Sequence, residues 1–436
     1  MLVTQPTYTL YMSSPSPKVI VALSGGVDSS VSAALLQEQG YHVEGAFIIT
    51  WQAPWLPCTW REERRDAMRV AAHLNIPFHT IDLSHEYERD VVNYFVAEYK
   101  AGRTPNPDVM CNKYVKFGAF FENALSQGFD YVATGHYARV HASVHQEAGV
   151  RKQRADSKEY DAEIPASAGM TEYPNAHEHT HDSLQPTPPV RGRRIRADYN
   201  LLTGTDVGKD QTYFLWTLTQ QHLAHTLFPV GDIEKPHVRV LAERFGLPTA
   251  AKKDSQGVCF LGKIDMKAFL EHYIDSTSGN VLNSAGQPIG THDGAVFYTL
   301  GQRHGFTVTN QTPDSEPLYV IAKDVAANTI TVAPRHGEHS TRQQLTKTIE
   351  LTDCNWIAGT STPYTLSPTP YRARFRYRQP LQAVQVDHST DTTATITFAT
   401  PQAYVPEGQS LVLYNGEECL GGGIIAHCTS HSAVHD

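Results

Sequence analysis

The sequence predicts an α/β protein: a Rossmann-like domain with a parallel sheet, followed by an antiparallel β-barrel toward the C-terminus. Three observations support this. From Lys18 to about Val140, apolar strand-like runs alternate with segments of helical period. Such βαβα alternation gives a parallel sheet covered by helices, with ligands at the carboxyl ends of the strands. From Gly279 onward, short period-two segments are punctuated by Gly, Pro and Asn at the spacing of a small barrel. Between these regions, residues 141 to about 195 follow neither period.

In chain order, "KVIVAL" reads as a strand, Ser24-Gly25-Gly26 as a turn, and 28–39 as a helix stopped by Gly40. "HVEGAFII" is a strand, "REERRDAMRVAAHLN" a helix, "PFHTIDL" a strand and 84–101 a helix. "CNKYVKFGAFFENALSQG" is a helix opened by Cys111 and stopped by Gly128, and "YVATGHYA" is the strand after it. Residues 141–195 are polar, with prolines near their end, and read as a disordered insertion. Its histidines, His177, His179 and His181, suit a solvated loop better than a metal site. Helical patterning returns at about 208–245. "AVFYTL", "LYVIAKD", "TITVA", "YRARFRYR", "TATITFA" and "QSLVLYN" are then the strands of the antiparallel part.

Bulk properties bound the function. A chain of 436 residues holds two or three domains. At 40% hydrophobic and 19% charged it is ordinary for a soluble protein, and no apolar run reaches the length of a membrane span, roughly 20 residues. The first 17 residues lack Lys and Arg and resemble neither a secretory signal nor a transit peptide, so a cytoplasmic protein is expected; a monomer is the separate expectation for its oligomeric state. The net charge of -9 argues against a general nucleic-acid coat while leaving room for a local basic stripe. The six cysteines (58, 111, 259, 354, 419, 428) include no C-x-x-C pair, so metal frameworks are not expected and most should be inert buried thiols.

The chemistry begins at "LSGGVDSS". Gly25 and Gly26 let backbone N–H groups approach a phosphate, the following helix adds its positive dipole end, and Ser24, Ser29 and Ser30 add hydroxyls. No lysine stands in the loop to reach the outer phosphates. Holding pyrophosphate as a leaving group, with AMP left on an acceptor, therefore suits it better than γ-phosphoryl transfer. Asp28 is placed to help hold Mg2+ on those phosphates. Cys111, opening a helix beside Lys113, is positioned for thiolate formation, with Asp108 three residues upstream as acid/base or substrate anchor. Cys259 begins an apolar run after a glycine turn and reads by itself as a core thiol. In "YRARFRYR", a strand would put Arg372, Arg374, Arg376 and Arg378 on one face, an arginine ladder suited to RNA phosphates.

"LSGGVDSS" resembles the PP-loop of the ATP pyrophosphatase superfamily. "GRTPNPDVMCNKYVKFG", "ATGHYARV", "GKDQTYFLW", "DSQGVCFLG", "LGQRHG" and "LYNGEECLGGG" follow it in order. Together they resemble the bacterial tRNA-specific 2-thiouridylases over nearly the whole chain apart from the first 17 residues and the insertion. The resemblance implies a PP-loop adenylation domain over 1–225 and a small central tRNA-binding domain over 226–282, whose Cys259 segment returns to the catalytic site. A C-terminal barrel over 283–436 completes it. It implies ATP and Mg2+ as cofactors, and as partners a tRNA, of the lysine, glutamate and glutamine acceptors, and a persulfide donor protein. Cys111 matches the family nucleophile and Cys259 the persulfide carrier, with a Cys111–Cys259 disulfide formed on turnover.

The nucleotide contacts that carry over are Ala22, Leu23, Ser24, Gly25, Gly26, Val27, Asp28, Ser29, Ile48 (where the family pattern has methionine) and Gly135. Asn106, Pro107 and Asp108 match the segment that touches the target base. His136, Lys209, Asp210, Gln211, Arg376, Tyr377 and Gln409 match tRNA contacts. The activity implied is ATP-dependent 2-thiolation of the wobble uridine. A different PP-loop ligase or amidating enzyme would need neither "PDVMC" nor "SQGVCF", and a noncatalytic RNA-binding module would not need the intact loop.

Overall fold

The computed structural model describes residues 16–55, 60–144, 197–253, 266–309, 315–334, 345–357 and 371–431. Cys259, the 145–196 stretch with His177, His179 and His181, and Cys58 lie outside them. The first part follows the predicted alternation: β1 (Lys18–Ala22), α1 (Val27–Glu38), β2 (His42–Ile49), α2 (Trp60–Leu74) and β3 (Phe78–Asp82). The helices α3 (84–100) and α4 (107–126) then lead to β4 (Tyr131–Ala133). The hairpin of β5 (Ala138–Val144) and β6 (Ala197–Thr203) precedes α5 (Gln220–Ala224), the short β7 (Thr226–Leu227) and α6 (Lys235–Arg244).

The parallel sheet has the order β3-β2-β1-β4-β7. Successive strand residues point to opposite faces, and both faces are apolar here. Val19, Val21, Val43 and Phe47 enter one core, with α1 and α2. Ile20, Ala46, Ile48 and Val132 enter the other, with α3 and α4. β1 has β2 on one side and β4 on the other. The chain direction across the sheet therefore switches between β1 and β4, where open α/β sheets bind ligands.

The rest is antiparallel apart from one parallel pairing. β8 (Gly279–Leu282), β9 (Pro288–His292), β10 (Phe306–Val308), β11 (Leu318–Asp324) and β12 (Thr329–Pro334) form a central sheet preceded by α7 (Met266–Leu270), in which β8 and β12 run parallel. β13 (Leu345–Trp356), β14 (Tyr371–Arg374), β15 (Gln382–Ser389), β16 (Ala394–Ala403), β17 (Ser410–Asn415) and β18 (Glu418–His431) form a six-strand barrel, closed by β13–β18 pairing. Its inside is filled by Ile349, Leu351, Phe398, Leu411, Leu413 and Ile425. The β5–β6 hairpin joins the barrel wall where Leu201 and Leu202 pair with Cys419 and Glu418.

Several expectations are corrected. "YVATGHYA" is two strands: β4 completes the parallel sheet, and the chain turns at Gly135 before β5 leaves for the barrel. The helical patterning at 208–245 yields one longer helix, α6; much of the remainder is turns, because its apolar residues Tyr213, Leu215, Trp216 and Leu218 are buried irrespective of period. "AVFYTL" contains a 3-10 turn at Ala295–Phe297. The arginine ladder does not form. β14 ends at Arg374, Arg378 takes a left-handed conformation (φ 61°), and only part of the segment is extended.

Candidate active site

The loop between β1 and α1 is shaped by its glycines. Gly25 has φ 72°, and a Cβ there would fall 2.4 Å from the Glu63 carbonyl in the first turn of α2. Leu23 and Val27 point into the core, so from them the loop can offer only backbone groups. Ser24 is exposed, and its hydroxyl lies 3.2 Å from that of Ser29. Ser30 departs from expectation: it is fully buried and its hydroxyl donates to the Gly26 carbonyl at 2.7 Å, so it serves the helix rather than a ligand. Ala22 and Ile48 line the α3/α4 side of the sheet, the face that Cys111 also joins.

Gly135 meets this loop from β4. A Cβ on it would lie 2.6 Å from the Ser29 nitrogen and 2.9 Å from the Asp28 carbonyl carbon, so only glycine allows the two loops to touch. Asp28 is committed to protein partners. Lys235 donates to both its oxygens (2.7 and 2.8 Å), and the Tyr137 hydroxyl donates to Oδ1 at 2.8 Å. That arrangement does not fit Asp28 as a ligand for Mg2+. A second lysine, Lys252, donates to the Gly25 carbonyl at 2.9 Å and to Asp66 at 2.7 Å. Sequence reading missed both lysines, since they stand more than 200 residues from the loop they contact.

The second half of the site is the start of α4. Asn106 caps the helix, its side chain accepting from the Val109 N–H, and Pro107 occupies the first turn. The helix therefore opens at Pro107, and Cys111 lies one turn further in, with its own N–H bonded to the Asp108 and Pro107 carbonyls. From Cys111 to Phe120 the helix widens to a π-type turn, closed at Gly118, whose backbone (φ -99°, ψ -105°) leaves helical geometry. Cys111 is 3% exposed. Burial raises the pKa of Asp108, with Lys116 opposing. His136 is buried between Phe117 and Phe228, its Nδ1 2.8 Å from the Thr134 hydroxyl. Burial and the nearby Lys116 hold its pKa well below the usual histidine range, so it is neutral at pH 7. His136, next to Gly135, packs on Phe117 of the cysteine helix with ring centroids 6.0 Å apart, which brings the two halves of the site together.

The remaining candidates divide into buried clamps and open positions. Asp210 is 3% exposed and ion-paired to Arg374 of the barrel, and it also accepts from the Gly204 and Thr212 N–H groups and the Thr212 hydroxyl. It orients its own loop rather than facing solvent. Gln409 donates to the Thr104 and Pro105 carbonyls at 3.1 and 3.2 Å and accepts from the Tyr213 hydroxyl, which places a barrel side chain directly behind Asn106. The Tyr137 N–H is bonded by the Gln211 side chain at 3.0 Å. Arg376 donates to the Leu300 and Tyr404 carbonyls. Tyr377 packs on Phe214, and the Arg378 guanidinium lies 5.1 Å over its ring. Burial pushes the thiols of Cys354, Cys419 and Cys428 up to about 12, as expected of inert cysteines. Among the described residues no helix is long and apolar enough to cross a membrane, and no His/Cys/Asp/Glu group has metal-site geometry.

Residues 17–162 and 189–263 match the tRNA methyl transferase HUP domain, 267–334 its PRC-barrel domain, and 346–425 the aminomethyltransferase beta-barrel domain. The chain is 41% identical over 411 residues to the tRNA-specific 2-thiouridylase of Enterococcus faecalis, covering 94% of this chain and 95% of that protein. It is 40% identical over 411 residues to that of Lysinibacillus sphaericus, covering 94% of each.

Proposed function

The chain belongs to the tRNA-specific 2-thiouridylase family, sulfurtransferases with an ATP-binding PP-loop domain that act on tRNA, and from that premise we propose how its residues divide the reaction. The observation that carries the proposal is the juxtaposition of the two halves: Gly135 touches the PP-loop, and His136 beside it packs on Phe117 of the cysteine helix. A uridine held at Asn106–Asp108 would then sit beside both the α-phosphate and Cys111.

ATP binds along 22–29, with Ile48 against adenine and Gly135 packed on the loop at Asp28 and Ser29. The C2 oxygen of the wobble uridine attacks the α-phosphorus and pyrophosphate departs, held by the loop amides and the Ser24 and Ser29 hydroxyls. The terminal sulfur of a Cys259 persulfide either displaces AMP from C2 directly or is released as sulfide by Cys111 and then attacks. In both routes the new bonds are C2–S and Cys111–Cys259, the old ones C2–O and the persulfide S–S, and an external thiol reductant resets the disulfide. Mg2+ enters with the ATP phosphates, and no step is assigned to a metal held by Asp28. Asp108, with its raised pKa, is the proton acceptor beside Cys111. Lys209, Gln211, Arg376 and Tyr377 form the tRNA face around the clamps of Asp210 and Gln409. The substrates are the lysine, glutamate and glutamine tRNAs, the sulfur comes from a relay protein, and the enzyme works as a cytoplasmic monomer. Mass spectrometry of nucleosides from unmodified tRNA incubated with ATP, Mg2+ and a persulfide donor tests this. Cys111→Ala and Cys259→Ala should each abolish 2-thiouridine while ATP still binds. Full thiolation by either variant refutes the assignment.

A further inference from the structure

The PP-loop lacks a lysine of its own, and two lysines from elsewhere reach it. Their settings differ. The Lys235 side chain is 9% exposed, and its ammonium is held by both oxygens of Asp28. It is a fixed counter-charge. The Lys252 side chain is 33% exposed, and its ammonium rests on one carboxylate oxygen of Asp66 and on the carbonyl of Gly25, a residue of the loop itself. Asp66 is 26% exposed and lies on α2, whose first turn abuts Gly25. A neutral carbonyl is a weak partner for an ammonium compared with a phosphate, which forms a charge-assisted bond. Lys252 thus carries a positive charge at the edge of the loop, with solvent access and one partner it can exchange.

We infer that Lys252 supplies the cation missing from the PP-loop, moving from the Gly25 carbonyl to the β- and γ-phosphates of ATP and stabilising pyrophosphate as it leaves. The inference rests on the reading of 22–29 as the ATP site. Four negative charges gather on departing pyrophosphate, and loop amides provide only partial positive charge against them.

The test is equilibrium binding of ATP, pyrophosphate and AMP to the full-length protein and its variants, with pyrophosphate release measured in the presence of tRNA. Lys252→Gln removes the charge and keeps an amide N–H donor on the side chain. It should weaken ATP and pyrophosphate by about 10- to 100-fold, the value of a hydrogen bond to a charged group, and AMP by less than about 2-fold. Lys252→Arg should recover part of the loss. Asp66→Asn frees Lys252 from its carboxylate and should leave ATP affinity unchanged or tighter. If Lys252 only ties α2 to the loop, Lys252→Gln will weaken ATP and AMP alike and Asp66→Asn will reproduce it. Either of those results, or unchanged pyrophosphate affinity in Lys252→Gln, overturns the inference. Wild-type protein that binds no ATP overturns the nucleotide reading itself, a distinct failure.

Discussion

Replacing Arg374 by Met tests whether the barrel is a structural part of the catalytic domain. The guanidinium is ion-paired to Asp210 and donates to the Tyr414 hydroxyl at 2.8 and 3.1 Å, with side chains 9% and 3% exposed for Arg374 and Asp210. Removing it strands the Asp210 carboxylate in a site it cannot leave, because Gly204 and Thr212 hold it from the other side. Breaking one side of a buried pair costs about 3–5 kcal/mol, and the remaining neutral donors put the expected loss near the lower figure. Losing the cation over the Tyr414 ring, 4.9 Å away, adds roughly 0.5–1 kcal/mol. The double variant Arg374→Met, Asp210→Asn removes both charges and should lose distinctly less than Arg374→Met alone, since well-packed neutral replacements of buried pairs are often near neutral. Urea unfolding, followed separately by tryptophan fluorescence and far-UV dichroism, reads these differences and shows whether one transition describes them. A loss below about 1 kcal/mol for Arg374→Met, or a double variant as damaged as the sum of the singles, refutes the argument.

Two further outcomes follow from the site geometry. Gly135→Ala should abolish ATP binding while leaving the dichroism spectrum intact, because its Cβ would sit 2.6 Å from the Ser29 nitrogen and push the loop aside; ATP affinity within a factor of about two of wild type would contradict this. The pKa of Asp108 is raised, so it gains its proton above the ordinary carboxylate range. If it accepts a proton, thiolation under single-turnover conditions falls as pH drops through that raised value, and Asp108→Asn is slow throughout and lacks the acidic limb. An unchanged limb in the variant would assign it to another group.

How much of this was legible in the sequence varies with the physical scale of the signal. The first three strand–helix pairs were, because period, the glycine stop at Gly40 and apolar runs all agree there. The loop and the Cys111 segment were legible as motifs. What failed was every inference that needed a neighbour distant in sequence. "YRARFRYR" alternates perfectly, yet Arg374 is drawn inward by Asp210 and Arg376 by two carbonyls, which ends the strand and undoes the ladder. The helix start was placed four residues late because Asn106 caps it from a segment that reads as loop. Lys235 and Lys252 carry no local signal at all; only the fold brings them to the loop.

Asp210 and Gln409 matched tRNA contacts, but the structure turns both side chains toward protein. Gln409 grips the carbonyls just before Asn106, and Arg374 grips the loop between Lys209 and Gln211, so two segments expected to meet RNA are each held by a barrel residue. The β5–β6 hairpin, which leaves the parallel sheet immediately after Gly135, adds a third tie by pairing with β18. The barrel is fastened at the Thr104–Pro105 segment, at the Lys209–Gln211 loop and, by β6–β18 pairing, to the hairpin that follows Gly135. Gln409 thus ties the barrel to the carbonyls directly before the Asn106 cap of the cysteine helix, so a displacement of the barrel would pull on the start of that helix.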